Sequence, residues 1–275
     1  YTISDADGMS FAVFDGMGGA AYGEIASEIA VQTMKKYERR LKNAEGMRAV
    51  DQIVTEFVTE ANNSICDMLR EKNCLSGGTT FAMLYFIDGL AKLYYLGDSR
   101  IYMQDEEDLI CLTRDHTLAN QKLDAGIYTE AQAKKSADQH RLTLYVGVDK
   151  NGLGLNADSR PPVALQPGRK FLLCTDGLVD MCSEQEIQDI LSQDYFNEAA
   201  VLVQTAVNYG GIDNVTCIVL EVIPIEEPAE LESDPMLEEM QLKYYKVPVF
   251  SNRIPALFCD YISIFTLFCN FKFLI

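Results

Sequence analysis

The chain has 275 residues, a length that suits one large domain or two small ones. Its formal net charge of −18 at pH 7 argues against nucleic acid and against an anionic membrane surface as partners. A chain this acidic would also repel a bare phosphate group unless bound metal ions reversed the local field. The hydrophobic content of 48% is enough to form a sizeable core.

The cysteine pattern argues against both a zinc site and a disulfide framework. The eight cysteines include no Cys-x-x-Cys pair, and the chain has only two histidines, so zinc-ligand spacing is absent. No secretory signal is visible, and the reducing cytoplasm is therefore the expected compartment. Cys174 and Cys217 lie in apolar runs, where cysteine acts as a small hydrophobic side chain. Because Tyr1 is not an initiator methionine, the sequence is expected to start at a fragment boundary.

Apolar periodicity predicts the elements of the first half of the chain. A short buried strand at 11–14 is followed by glycines, and apolar residues at helical spacing then predict two helices, at about 23–41 and 54–69. The Asp88-Gly89 pair between two apolar runs is a strong hairpin signal. The strands of the resulting meander are predicted at 80–87, 90–96, 101–104 and 109–112. Such antiparallel hairpins argue against an all-parallel sheet.

The second half begins with a polar segment that we call the flap segment, residues 113–160. It lacks a sustained strand pattern, has one predicted helix at 129–137, and has the length of a functional loop insertion. Ser183 followed by Glu186 is a capping signature that predicts a helix start. The remaining elements are predicted as a strand at 171–174, a helix at 198–209 and a strand at 215–223. Helices around mostly antiparallel strands indicate a layered α+β domain over residues 1–223.

The composition changes at Pro224. Seven acidic residues and no basic residue lie between 226 and 239, which is typical of a solvated linker, assigned here to 224–253. Residues 254–275 are rich in Phe, Ile and Leu, and their number just suits a membrane span. Asp260 and Asn270 are costly in lipid, so a hydrophobic docking segment and an atypical terminus are the alternatives to a tail anchor.

Four aspartates stand out because each follows an apolar run or a glycine turn: Asp15, Asp98, Asp176 and Asp213. A carboxylate at the end of a hydrophobic strand is costly unless something neutralises its charge. Taken singly, an Asp-Gly pair or an Asp after glycines is usually only a turn. Taken together, four oxygen ligands favour a shared hard cation, Mg²⁺ or Mn²⁺.

These aspartates lie in six motifs that occur in a family-like order: DGMGGAAYGEIAS, GGTTFAML, LGDSR, LTRDHT, LLCTDGL and GIDNVT. In this order they resemble the metal-dependent type 2C protein phosphatases, especially the bacterial branch. The resemblance covers residues 9–223. It implies a four-layer α/β/β/α sandwich of two mostly antiparallel sheets flanked by helices. It also implies an enzyme that hydrolyses phosphoserine and phosphothreonine on proteins by a metal-activated water.

The resemblance also implies the roles of individual residues. Asp15 would bridge two Mn²⁺ or Mg²⁺ ions, the Gly16 carbonyl would bind one of them, and Asp176 and Asp213 would complete the pair. Asp98 would share a third, weaker ion with Asp176. The remaining expected features are Asn214 as a supporting residue, and a phosphate-holding arginine and an acidic metal-linked residue on a first strand upstream of Tyr1.

Three further polar side chains near these motifs have less specific predictions. Arg100 is expected to pair with a carboxylate beside the site. His116 is either a general acid or, as its distance from the first Asp-Gly pair favours, a hydrogen-bonded residue beside the flap segment. His140 is expected at the surface.

The expected partners are phosphorylated proteins and a cognate serine/threonine kinase pathway, with membrane association only through residues 254–275. Two alternatives to an enzyme of this class follow from the residues. The first is a non-catalytic docking module that keeps the phosphatase fold. The second is a dinucleotide site, since residues 16–21 fit the weak Gly-x-Gly-x-x-Ala pattern. In that case, however, Asp15 would face the pyrophosphate, and no acid-ended second strand follows about 20 residues later.

Overall fold

The structure is a computed structural model that describes residues 2–3, 9–18, 20–74, 76–105, 108–148, 154–193, 195–223 and 267–274. Its strands are β1 (Thr2–Ile3), β2 (Met9–Val13), β3 (Gly16–Met17), β4 (Gly78–Thr79), β5 (Phe81–Ile87), β6 (Leu90–Leu96), β7 (Arg100–Asp105), β8 (Asp108–Cys111), β9 (Asp158–Ser159), β10 (Val163–Ala164), β11 (Lys170–Cys174), β12 (Thr216–Ile223) and β13 (Leu267–Leu274). Its α-helices are α1 (Ala20–Lys42), α2 (Met47–Glu71), α3 (Leu118–Asp124), α4 (Glu130–Ala133), α5 (Asp176–Val179), α6 (Glu184–Leu191) and α7 (Glu198–Asn208). A 3₁₀ turn spans Ala137–His140.

Two sheets form the centre of the fold. The first has the strand order β1-β2-β5-β6-β10, with β9 also paired to β6, and the second has the order β13-β12-β11-β7-β8. Every pairing is antiparallel except that of β12 with β13. The mostly antiparallel prediction is therefore confirmed.

Side-chain alternation along the strands builds four layers. On β5, Ala82 and Leu84 point to a core shared with Phe171 and Leu173 of β11, so the two sheets pack face to face. The opposite face of β5, with Phe81 and Met83, packs against α1 and α2.

The outer face of the second sheet is covered by helices in the same way. Leu172 of β11 and Val219 of β12 pack against Ile187 of α6 and Leu202 of α7. The layers thus run helix, sheet, sheet, helix, which confirms the expected α/β/β/α sandwich. Because both faces of each central strand are buried, these strands are continuously apolar rather than alternating.

The hairpin prediction at Asp88-Gly89 is confirmed. Both residues have positive φ, 51° and 70°, which a two-residue type I′ turn requires. The turn sets Ile87 opposite Leu90 and so fixes the register of β5 and β6 along their whole length.

The flap segment is more structured than its sequence predicts. The helix expected at 129–137 is shorter, Glu130–Ala133, and it starts at a capping box formed by Thr129 and Gln132. Helix α3 was not predicted, because Ala119 is its one buried residue and its sequence therefore has no apolar stripe. The Thr117 side chain caps its first turn by accepting from the Asn120 amide.

The hydrophobic tail is described only at 267–274, where the chain is a strand and not a helix. β13 runs parallel to β12, from Leu267 opposite Thr216 to Leu274 opposite Ile223. Among the described residues, no helix combines the length and the apolar character needed to cross a membrane. The acidic linker 224–253 and residues 254–266 lie outside the described residues, so the role of the tail stays a prediction.

Candidate active site

The strand ends that carry the aspartates meet at one end of the sandwich. In the first sheet, Val13 at the end of β2 lies opposite Ala82, and Leu96 at the end of β6 lies opposite Phe81. In the second sheet, Cys174 at the end of β11 lies opposite the first residue of β7 and beside the start of β12. Asp15 and Asp98 lie in the loops that follow β2 and β6. Asp176 begins α5 just after β11, and Asp213 lies in the loop before β12.

A buried threonine joins two of these loops. The Asp15 amide donates to Thr80 Oγ1 at 2.9 Å, and the Thr80 amide donates to the Asp15 carbonyl at 2.8 Å. Thr80 Oγ1 is also 2.7 Å from Ser99 Oγ. The Gly-Gly-Thr-Thr motif therefore holds the Asp15 loop against the Gly-Asp-Ser-Arg turn that carries Asp98.

Glycines allow the loops to approach closely. A Cβ atom on Gly16 would lie 2.1 Å from the Gly23 carbonyl oxygen, so the loop after β2 lies directly on the first turns of α1. A Cβ atom on Gly177 would lie 2.2 Å from the Asn214 carbonyl oxygen. That contact brings the start of α5, with Asp176, against the loop that holds Asp213.

The carboxylates at this end of the fold repel each other. Burial raises the pKa of Asp15, and the negative charge of Asp176 raises it further, with smaller contributions from Asp213 and Asp98. Burial raises the pKa of Asp98 to about 7, and the charge of Asp176 adds to the effect. The pKa of Asp176 is raised by burial as well, and by the charges of Asp180 and Asp213. These couplings show that the four aspartates share one electrostatic environment.

The donor set fits a divalent cation. Asp176 Oδ1 is buried and has no hydrogen-bond partner among the described residues, which is costly for a carboxylate oxygen in the absence of an ion. Asp213 is exposed, and its Oδ1 accepts from the Asn214 amide at 2.7 Å, which leaves the second oxygen for a ligand. Carboxylate and carbonyl oxygens are the ligands that Mg²⁺ and Mn²⁺ prefer.

The arginine beside the site, Arg100, forms a salt bridge with Asp115. Arg100 Nη2 donates to Asp115 Oδ2 at 2.7 Å and Nε donates to Asp115 Oδ1 at 3.0 Å, a bidentate arrangement. Its Nη1 donates to the Tyr102 hydroxyl at 3.0 Å. This pair joins the start of the flap segment, at Asp115, to the first residue of β7 in the second sheet.

His116 clamps the turn that precedes Asp98. Its Nδ1 accepts from the Gly97 amide at 3.0 Å, and its own amide donates to the Gly97 carbonyl at 2.9 Å. The ring stacks on Tyr95 with the two planes 9° apart, and Nε2 lies 3.2 Å from Asp158 Oδ2. Since both ring nitrogens are engaged, the geometry favours the hydrogen-bonded alternative over a general acid.

Sequence reasoning missed Asp180 and the position of His140. Asp180 lies four residues after Asp176 and follows directly on α5, so the two carboxylates share one side of the helix. His140 is at the surface, as expected, but its Nδ1 lies 3.7 Å from Asp180 Oδ2. The four-residue spacing of the aspartates was visible in the sequence, whereas the approach of the flap histidine was not.

Comparison with known proteins places the chain among phosphatases. It is 32% identical to protein phosphatase PhpP of Streptococcus pneumoniae over 220 residues, which cover 78% of this chain and 86% of the relative. The serine/threonine phosphatase of S. agalactiae has the same fold, with a TM-score of 0.72 at 24% identity over 78% of this chain and 88% of that one. The catalytic domain of the serine/threonine protein phosphatase PstP, solved in complex with two manganese ions, gives a TM-score of 0.62 at 26% identity over 80% and 88% of the two chains. The family model described as protein phosphatase 2C matches residues 2–205, and the chain belongs to this family.

Proposed function

We propose that this protein is a Mn²⁺- or Mg²⁺-dependent phosphatase that removes phosphate from phosphoserine and phosphothreonine of proteins. The observation that carries the proposal is the convergence of Asp15, Asp98 and Asp176 in one partly buried, mutually repelling cluster, with Asp213 at its edge. Such a cluster is unfavourable by itself and is stabilised by cations. Family membership and the relatives named as serine/threonine phosphatases support the same activity.

The aspartates would hold the ions, and the surrounding residues would fix the aspartates. Asp15, Asp176 and Asp213 would hold two ions together with the Gly16 carbonyl, and Asp98 would share a third ion with Asp176. When bound, the ions would acidify water and offset the negative charge of the phosphate ester. Thr80 holds the Asp15 backbone and His116 holds the turn before Asp98, so the two loops that carry these carboxylates are positioned by contacts that need no ion. Preorganised carboxylates avoid a rearrangement during the reaction.

Cations would also determine where a phosphoprotein can bind. The formal charge of this chain makes its overall field repel phosphate, and cations bound at the aspartates would reverse that field locally. Arg100 cannot supply the missing positive charge, because its guanidinium is held by Asp115. We therefore expect substrate binding and metal binding to be strongly coupled. Cytoplasmic phosphoproteins of a serine/threonine kinase pathway are the proposed substrates.

The experiment measures hydrolysis of p-nitrophenyl phosphate and of a phosphothreonine peptide by the full chain, with Mn²⁺ and with excess chelator. Asp176→Asn removes one charge from the cluster and should remove most turnover while the protein stays folded. Asp88→Asn is the matched control, because Asp88 lies in the β5–β6 turn at the opposite end of these strands. Turnover that persists in chelator, or equal losses in both variants, would contradict the proposal. A folded chain that binds Mn²⁺ but never turns over would favour the docking module instead.

A further inference from the structure

Thr175 is the residue at which a strand of the second sheet ends and a helix begins. It follows the last residue of β11, it is 3% exposed, and its neighbour Asp176 is the first residue of α5. The structure describes every amide of α5, and none of them donates to the Thr175 side chain, although Thr175 stands at the cap position. The chain thus changes from strand to helix directly before a proposed metal ligand, and the Thr175 hydroxyl bonds outside that helix.

The Thr175 hydroxyl takes the place of a main-chain carbonyl in the sheet. The Thr175 amide donates to the Thr216 carbonyl at 3.0 Å, which continues the pairing of β11 with β12 by one residue. In a regular antiparallel pair, the Thr216 amide would return this bond to the Thr175 carbonyl. It donates instead to Thr175 Oγ1 at 3.1 Å. The Thr175 carbonyl is thereby left to accept from the Leu178 amide at 3.2 Å, at the start of α5.

The same hydroxyl reaches the loop that carries Asp213. Thr175 Oγ1 donates to the Asn214 carbonyl at 3.4 Å, a long contact, and Gly177 lies against the same carbonyl oxygen. The Asn214 amide in turn donates to Asp213 Oδ1 at 2.7 Å. Asn214 is therefore held by the residues on either side of Asp176, while it holds the carboxylate of Asp213.

A buried threonine has a similar place in the first sheet. Thr80 comes directly before β5, is 2% exposed, and accepts from the Asp15 amide through Oγ1 at 2.9 Å. In both sheets, a threonine hydroxyl thus accepts from an amide at the point where a strand gives way to a loop with a proposed ligand. The two differ in what they join: Thr80 joins the Asp15 loop to the turn before Asp98, and Thr175 joins Asp176 to the Asp213 loop.

We infer that Thr175 is a positioning residue that sets Asp176 and Asp213 relative to each other for metal binding. The inference rests on the proposed function, in which these two aspartates hold ions together. Without the hydroxyl, the acceptor that a regular sheet offers to the Thr216 amide is the carbonyl of residue 175, for which the Leu178 amide then competes. The strand would run one residue further, the start of α5 would loosen, and Asp176 would shift away from Asp213.

Three substitutions isolate the hydroxyl. Thr175→Val keeps the branched shape of the side chain and removes the hydroxyl, and Thr175→Ala provides the same loss without the branch if the valine variant does not fold. Thr175→Ser keeps the hydroxyl and should behave like the parent chain. The matched control is Thr113→Val, because Thr113 is also buried and its Oγ1 accepts from the Ile101 amide at 3.2 Å, beside β7 and not beside β12.

Calorimetric titration of the full chain with Mn²⁺ is the first readout. We expect Thr175→Val to weaken Mn²⁺ binding by about tenfold or more, as the loss of residues that orient metal ligands usually does. Thr175→Ser should recover most of that loss. Thr113→Val should bind Mn²⁺ as the parent chain does, even if its thermal midpoint in chelator falls. Parent-like affinity in Thr175→Val, or equal losses of affinity in the two valine variants, would overturn the inference.

Amide hydrogen exchange in chelator tests the geometry without metal or turnover. In Thr175→Val, the Leu178 amide should exchange faster than in the parent chain, whereas the Thr216 amide should keep its protection because the sheet has taken over the carbonyl. In Thr113→Val, the Leu178 amide should exchange as in the parent chain. Unchanged exchange at Leu178 in Thr175→Val would show that the hydroxyl does not determine where the strand ends, and would overturn the inference.

The two proposals fail in distinguishable ways. A parent chain that binds Mn²⁺ but hydrolyses no phosphate ester would contradict the proposed function, and the inference would stand if Thr175→Val still weakened binding. Mn²⁺-dependent turnover in the parent chain, together with unchanged Mn²⁺ affinity in Thr175→Val, would overturn the inference and leave the proposed function in place. A parent chain that binds no Mn²⁺ would contradict both.

Discussion

At the scale of single residues, the site depends on positions that have no side chain. Gly177 lies inside α5 and does not have a positive φ, so its own backbone conformation does not require glycine. It is required because the Asn214 carbonyl oxygen occupies the place of a Cβ atom, 2.2 Å from the ideal position. The contact is with backbone on both sides, and neither side can move without shifting Asp176 or Asp213.

Gly177→Ala is therefore expected to separate the two loops. Overpacking of this kind costs about 1–3 kcal/mol in the free energy of unfolding, and the shift of Asp176 should weaken Mn²⁺ binding as well. The matched control is Gly154→Ala, since a Cβ atom there would meet nothing within 4 Å and the residue has no positive φ. Urea unfolding and Mn²⁺ titration would measure both effects. Equal results for the two variants would show that the Asp176 and Asp213 loops are not held by this contact.

The raised carboxyl pKa values predict how the metal-free protein responds to pH. Burial raises the pKa of Asp98 from 3.8 to about 7, so between these values the folded chain holds more protons than the unfolded chain. The free energy of unfolding then falls as pH rises through this window, because stability rises with pH only where the unfolded state binds more protons. Asp15 and Asp176 act in the same direction, since burial raises the pKa of each.

In excess chelator, we expect the thermal midpoint to be lower at pH 7.5 than at pH 5.5. Saturating Mn²⁺ should reduce or reverse that difference, because the ions replace the protons on the carboxylates. Asp98→Asn removes one of the titrating groups and should give a shallower dependence than the parent chain. A parent midpoint that rises with pH in chelator, or an identical slope in the variant, would mean that the carboxylates do not repel each other as the geometry indicates.

At the scale of elements, the sequence predicts those turns and helix ends that depend only on residues close together along the chain. The Asp88-Gly89 turn and the Ser183 cap need only residues within four positions of each other, and both were predicted correctly. Helix α3 depends instead on contacts with a distant part of the flap segment, such as the Leu118 amide that donates to the Arg141 carbonyl at 2.9 Å. A helix without an apolar stripe gives no periodic signal, so its sequence alone could not reveal it.

The cap of α6 gives a quantitative prediction at this scale. Ser183 Oγ accepts from the Glu186 amide at 3.3 Å, while Glu186 Oε2 accepts from the Ser183 amide at 2.9 Å. Ser183→Ala should lower the free energy of unfolding by about 1 kcal/mol, the usual cost of losing such a cap. The control Gln185→Ala removes only an exposed contact with Asp189 and should cost less than about 0.5 kcal/mol. Chemical denaturation would measure the free energy of unfolding of both variants. A loss for Ser183→Ala as small as that of the control would contradict the cap assignment.

At the scale of the whole molecule, the sequence predicts which aspartates form the candidate site, but it does not predict how the flap segment packs beside them. Asp15, Asp98, Asp176 and Asp213 were predicted as ligands because each follows an apolar run or a glycine turn and belongs to a family-like motif. The pairing that brings them together is a property of two sheets, since Cys174 lies between Arg100 and Cys217 only after β11 has joined β7 and β12. The approach of His140 depends on a further step, the packing of the flap segment, for which the sequence holds no periodic or motif signal.

The tail offers a test of the whole second sheet. β13 pairs with β12 at eight consecutive positions, from Thr216 opposite Leu267 to Ile223 opposite Leu274. Deletion of residues 267–275 would leave β12 as an edge strand with unpaired backbone groups, and such edges promote association between chains. We expect the shortened chain to have a lower thermal midpoint and to dimerise or aggregate by light scattering. The proposed metal site should be retained, because its aspartates lie after β2, β6 and β11 and before β12, outside the deleted strand.

The same deletion distinguishes a hydrophobic tail that pairs with β12 from one that anchors the chain in a membrane. Residues 267–274 cannot pair with β12 and lie in a bilayer at the same time, because β13 uses its backbone groups in the sheet and a membrane span must satisfy its own. With the tail in the sheet, the full chain should stay in the supernatant when it is mixed with lipid vesicles. Sedimentation with vesicles that is lost on deletion, together with an unchanged thermal midpoint, would show instead that the tail is an anchor and that β12 is stable as an edge strand.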